Sequence, residues 1–193
     1  DVLGSRGLGD VYKRQIFALP LILGNLLQQM YNTADSIIVG NFVGSNGLAA
    51  VGSGSSLIQL IIAFSQGAAV GAGVIVSQSI GAKKSDTVKK SVHTAICISV
   101  IMGIILSIIG VIFSRILLAI MKTPSDVLDD SVLYLRIFSA GLIFNVIYNM
   151  ATGILNAAGN STKPLQYLAI ASVTNIILDL LFIRVFKLSL IHI

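Results

Sequence analysis

The chain has 193 residues, 55% of them apolar and 11% charged, against roughly 25% charged in an ordinary soluble domain, and its mean hydropathy is +0.91. That balance excludes a soluble enzyme and a disordered chain. The formal charge of +5 comes from 13 Lys and Arg scattered between apolar runs, a pattern of membrane topology and not of a nucleic-acid surface.

Residues 1–15 (DVLGSRGLGDVYKRQ) show no helical or strand period and are read as a non-native or disordered tail, as are residues 187–193 at the other end. The lack of an initiator Met fits a fragment. Between the tails, residues 16–186 hold five runs that meet the about 20 residues a bilayer core requires of a helix. They are Ile16 to Val39, Leu57 to Ile80, Val92 to Met121, Leu133 to Ala157 and Leu165 to Phe186. The separators carry helix breakers: Gly40, Gly44, Gly47 and Gly52, then GAKKSD, KTPSDVLDD and GNSTKP. Only helices and closed barrels satisfy the backbone in lipid, and these runs are too long and too uniformly apolar for barrel strands. The expected fold is all-α, a polytopic transmembrane bundle. An odd number of spans with no internal partner suggests part of a larger transporter.

Lysines in short loops set the orientation. Lys83, Lys84, Lys89 and Lys90 follow the second span and Lys163 follows the fourth, so both loops are expected in the cytoplasm, with the amino end. Asp126, Asp129 and Asp130 then lie outside. The sequence predicts a multi-pass protein of the cell membrane, in a bacterium the inner membrane. Arg115, Arg136 and Arg184 near span ends are expected to snorkel to the interface. His93 is read as an interfacial anchor, and Cys97 as a small apolar residue that leaves no disulfide and no Cys-based zinc set.

Polar residues within the spans point to the interior, because a polar side chain in lipid must face protein or water. Asn25, Gln28, Gln29, Asn32 and Asp35 share about a third of the first helix's circumference. Ser55, Gln59 and Gln66 share a side of the second, beside small residues Gly67, Ala68, Gly71 and Ala72 that allow close helix approach. The fourth span carries Asn145, Asn149, Thr152 and Asn156, and the fifth Ser172, Asn175 and Asp179. The third has no amide or acid in its middle, which predicts a lipid-facing helix whose Ser99 and Ser107 bond to their own carbonyls. Aligned stripes on four helices suggest a polar cavity, for which Asn25, Gln28, Asn32, Gln59, Gln66, Asn145 and Asn149 are the candidate lining.

Asp35 and Asp179 are the carboxylates well inside the spans, and each costs on the order of 3 kcal/mol if charged at a helix centre. Both belong to helices expected to run outward from the cytoplasm, at similar depth, and each has an amide neighbour one turn earlier, Asn32 and Asn175. Such a pair suits proton exchange, and the same oxygens suit a hard cation such as Na+; the residues leave that choice open. No other metal site is indicated. Pro20, one turn into the first helix, is either an early helix position or a hinge. No nucleophile elbow, phosphate-binding loop, HExxH or paired CxxC occurs, so no enzyme is indicated.

The segments ALPLILGNLLQQMYNTADSIIVG (Ala18 to Gly40), LAAVG (Leu48 to Gly52), SQSIGAKK (Ser77 to Lys84), YLRI (Tyr134 to Ile137), GILNAAGNSTKP (Gly153 to Pro164) and TNIILDLLFI (Thr174 to Ile183) together resemble the amino-terminal lobe of a multidrug and toxic compound extrusion (MATE) transporter. The resemblance implies two six-helix lobes around a central cavity, of which this chain supplies five helices; the sixth and the carboxy-terminal lobe are its missing partners. It implies export of small cationic amphiphilic compounds in exchange for H+ or Na+, with no cofactor and no nucleic-acid partner. By position it makes Asp35, Asn175 and Asp179 the cation-coupling residues and Pro20 the bending point. Two alternatives remain: a lipid-linked precursor flippase of the same superfamily, and a non-transporting membrane scaffold.

Overall fold

The structure, a computed structural model, describes residues 2–42 and 45–184. Those residues form helices α1 (Val2–Phe42), α2 (Ser45–Gly81), α3 (Ser85–Ile120), α4 (Ser125–Ala140), α5 (Leu142–Ala157) and α6 (Thr162–Arg184). No strand occurs among them, and the architecture is the expected all-α membrane bundle. By length and apolarity alone, α2 from Gly47 and α3 are long enough to cross a bilayer, and α4 with α5 make a third, bent span. The five expected spans map onto α1, α2, α3, the α4–α5 pair and α6; α1 and α6 carry the polar stripes that lower their apolarity.

Three boundaries differ from the sequence reading. Helix α1 begins at Val2, so residues 2–15, expected to lack a helical period, continue the first span as helix. Residues 187–193 lie outside the described part. Helix α2 begins at Ser45, and Gly47, Gly52 and Gly54 are helical instead of breaking the chain. A Cβ on Gly54 would make ordinary contact with the Tyr134 ring at 3.5 Å and one on Gly52 would meet nothing within 4 Å, and the Ser53 hydroxyl returns to Ala49 O at 2.8 Å. Finally, the fourth span is two helices bent by 50° at Gly141, and α4 starts in the expected loop. Pro124 precedes its first turn and Asp126 lies within it, a proline and an acid that both favour a helix start.

Three turns end their helices alike. Lys83, Lys122 and Gly159 adopt φ of 54°, 57° and 81°, and the next amide bonds back five residues, Lys84 N to Ser79 O, Thr123 N to Leu118 O and Asn160 N to Leu155 O. This is the Schellman closure, whose left-handed position favours glycine. Two of the three turns place lysine there.

The core divides into two clusters. Ile58, Leu118, Val132 and Leu135 join α2, α3 and α4, while Ala69, Ala95 and Met150 join α2, α3 and α5. Close approach of α2 and α5 rests on glycine: a Cβ on Gly153 would stand 2.7 Å from Ala69 O, and one on Gly73 would stand 3.2 Å from Gly153 O. Ala68 and Ala72 pack beside this contact, but Gly67 and Gly71 face open space, so the expected small-residue face is rotated by one position. Because Ala69 and Gly73 meet Gly153 and Ala157 in ascending order, α2 and α5 run parallel. The lysine-bearing α2–α3 and α5–α6 turns therefore share one end of the bundle.

Helix α3 turns Ala95, Ser99, Gly103, Gly110, Ser114 and Leu118 inward and leaves Ile101, Ile105, Ile108 and Ile112 exposed, as a lipid-facing helix would. Ser99 bonds to Ile96 O at 2.7 Å. Ser107 departs from expectation, since its buried Oγ has no hydrogen-bond partner. Arg115 pairs with Asp129 at 3.1 Å on the exposed surface, and Arg136 donates to Ser114 Oγ at 3.2 Å. The side chain of Arg184 lies outside the described part.

Candidate functional site

Helices α1 and α6 pack chiefly against each other and touch the α2–α5 unit only lightly. They run parallel, since Ser161 Oγ meets Phe17 O at 2.9 Å and Gly24 faces Leu165 and Leu168. Between this pair and the α2–α5 unit lies a cavity of about 300 Å³. Its wall carries Pro20, Asn25 and Gln28 from α1, Gln66 from α2, Asn145, Tyr148, Asn149, Thr152 and Asn156 from α5, and Ser161 and Pro164 where α6 begins.

No charged side chain lines the cavity among the described residues. Its polar groups are amides and hydroxyls, set among apolar side chains such as Leu21, Ile62, Val70 and Leu168 and the Tyr148 ring. Asn149 Nδ2 donates to both the backbone oxygen and Oδ1 of Asn145, each at 2.9 Å, which fixes the two amides relative to one another. Asn156 Oδ1 is buried with no hydrogen-bond partner. An amide oxygen in that state offers an open acceptor to a donor or a cation.

Of the candidate lining residues, the structure brings Asn25, Gln28, Gln66, Asn145 and Asn149 to this one wall, with Pro20 at its base. Asn32 and Gln59 do not reach it: Asn32 lies a turn beyond Gln28 on α1, half-buried, and Gln59 is exposed two turns before Gln66. Tyr148, Ser161 and Pro164 were not singled out as site residues. Tyr148 sits three residues after Asn145 on the same helical face, a spacing that could have found it.

The carboxylates occupy a different level. Asp179 is buried, 6% exposed, and lies eleven residues beyond Leu168, about 16 Å further along α6. Asn175, one turn before it, has its buried Oδ1 without a hydrogen-bond partner. The side chain of Asp35 lies outside the described part, but its place on α1 is defined. Phe17 and Ser161, in contact, are 144 positions apart, and Asp35 and Asp179 are separated by the same interval. Two parallel helices of equal rise therefore hold these positions level.

A helical bundle with a cavity that carries amide side chains and a buried acid, Asp179, further along one of its helices has the architecture of a membrane transporter. The sequence matches the MatE family over residues 20–181. It is 33% identical over 163 residues to the probable multidrug resistance protein YoeA of Bacillus subtilis, covering 84% of this chain and 35% of that protein. It is 30% identical over 183 residues to the probable multidrug resistance protein YpnP of the same organism, covering 94% of this chain and 41% of that one. A solved MOP superfamily transporter from Pyrococcus furiosus superposes with a TM-score of 0.84 at 27% identity, covering 91% of this chain and 38% of the other. The chain belongs to the MatE family. It spans 35% and 41% of the length of these two curated relatives.

Proposed function

We propose that the chain is the amino-terminal lobe of a secondary antiporter that exports small cationic amphiphilic compounds in exchange for H+ or Na+. The observation that carries this reading is the separation of two sites on one helix pair: an uncharged cavity that extends to Gln28 on α1 and Leu168 on α6 and, about 10 Å further along α1 and about 16 Å further along α6, the level of Asp35 and Asp179. Asn25, Gln28, Asn145, Asn149 and Asn156 would bind an organic cation through amide oxygens, and the Tyr148 ring adds a face for the cation.

Asp35, Asp179 and Asn175 would bind the coupling ion. The buried Asn175 oxygen suits either a Na+ ion or the donor of a protonated carboxyl. Neutralising the acids removes the cost of charge in lipid and changes the packing preferred by α1, which flexes at Pro20. Only an ion with different affinity for the two arrangements of α1 can drive that shift. The amino end and the lysine-bearing turns would face the cytoplasm of a bacterial inner membrane, following the positive-inside rule.

The test is dye efflux from liposomes containing the complete protein from the same reading frame, under an imposed pH gradient and, separately, a Na+ gradient. Wild type is expected to export the dye under one of them, and Asp35→Asn to insert normally and lose gradient-driven export. Full export by the variant would refute the coupling role. No export by wild type under either gradient would favour a flippase or a scaffold.

A further inference from the structure

Ser161 stands where the cavity meets the α5–α6 turn. It is 4% exposed, and its hydroxyl donates to Phe17 O of α1 at 2.9 Å. It immediately precedes α6, the position from which a serine ordinarily accepts an amide of the first helical turn. Neither usual donor is available. The third helical residue is Pro164, which has no N–H, and the amide of Lys163 donates to Asn160 Oδ1 at 3.2 Å. The sequence Asn160-Ser161-Thr162-Lys163-Pro164 thus leaves the Ser161 side chain without its usual bond to its own helix, and the bond its hydroxyl makes is the one it donates to Phe17 O of α1.

The acceptor is equally placed. Pro20 deprives the Ile16 carbonyl of its usual helical donor and crowds that turn, and Phe17 carries the next carbonyl along it. The Phe17 carbonyl keeps the Leu21 amide as its helical partner, so the Ser161 hydroxyl adds a second hydrogen bond, from outside the helix, to the turn that Pro20 weakens.

We infer that Ser161 is a positioning residue that pins the turn of α1 before Pro20 to the α5–α6 turn. Flexing at Pro20 then moves only the segment beyond it, which carries Asn25, Gln28 and Asp35. The pin also keeps Pro20, Ser161 and Pro164 together at the base of the cavity throughout that motion. The inference rests on the reading of Pro20 as the hinge of an export cycle.

The test uses spin-label pairs in the full-length protein in lipid, on a Cys97→Ala background. One pair, Tyr12→Cys with Lys163→Cys, reports the base of α1. The other, Met30→Cys with Ile177→Cys, reports the segment beyond Pro20. In Ser161→Ala the population of displaced base distances is expected to rise about two- to tenfold, the range that loss of one hydrogen bond allows. Ser161→Thr, which keeps the hydroxyl, restores the narrow distribution, and the second pair changes in neither variant. An unchanged base in Ser161→Ala, a failure of Ser161→Thr to restore it, or equal broadening of both pairs with a lowered melting temperature would each overturn the inference. Because this readout is a distance, a wild type that exports no dye would reject the export reading without touching it.

Discussion

Replacing Gly153 by alanine should force α2 and α5 apart. The added methyl would stand 2.7 Å from Ala69 O and 3.1 Å from both the carbonyl carbon and Cβ of Ala69. The first of these is backbone, so no side chain can turn aside to relieve the contact. Reaching ordinary separation requires the helices to part by about 0.7 Å, and overpacking of this kind costs about 1–3 kcal/mol. Ala69 and Gly153 both line the cavity, so the same displacement widens its wall. Gly71→Ala provides the comparison, because a Cβ there meets nothing within 4 Å. It should fall within about 1 kcal/mol of wild type, helped by the higher helix propensity of alanine. Thermal unfolding of the purified full-length protein in detergent measures both. Wild-type stability in Gly153→Ala would refute the close-approach reasoning.

Lys83→Gly and Lys122→Gly should each stabilise the protein by about 1 kcal/mol, because both lysines hold the left-handed conformation that costs a side-chain-bearing residue about 1–2 kcal/mol. The same unfolding assay checks this, and destabilisation by either variant would contradict it.

The fold was legible where apolar runs were long, as in α3, whose isoleucine-rich surface reads directly as a helix among lipid. It was less legible where small residues decide. Gly47 and Gly52 look like a break, yet they lie within α2, where Ala50 is buried against its neighbours. The sequence marks the correct helix for close approach but the wrong face, since only the partner helix shows that Ala69 and Gly73, not Gly67 and Gly71, meet Gly153. The bend at Gly141 was hidden for a related reason: the residues on either side of it, Leu133 to Ala140 and Leu142 to Ala157, read as one continuous span, and hydropathy does not register a change of direction.

The amide stripes on α1 and α5 could be drawn from helical spacing alone, and most of the candidate lining residues share one wall. What spacing could not give was where the cavity ends. Asn32 and Gln59 have the angular position of lining residues but the wrong height, which depends on how far α1 and α6 stand off from α2 and α5. Ser161 was invisible for another reason. Its role depends on a proline, an asparagine and a carbonyl 144 positions away, and no local pattern joins them.

The proposed binding of an organic cation in the cavity beside Pro20 can be measured directly. This chain contains no tryptophan, so Tyr148→Trp places a fluorescent reporter on the cavity wall of the lobe. Titrating the full-length variant with a fluorescent cationic dye, with the unsubstituted protein as baseline, should give saturable energy transfer that Gln28→Leu combined with Asn149→Leu abolishes. Transfer that rises without saturation, or is unchanged by those substitutions, would mean that the dye partitions into lipid or binds elsewhere, and would contradict the claim.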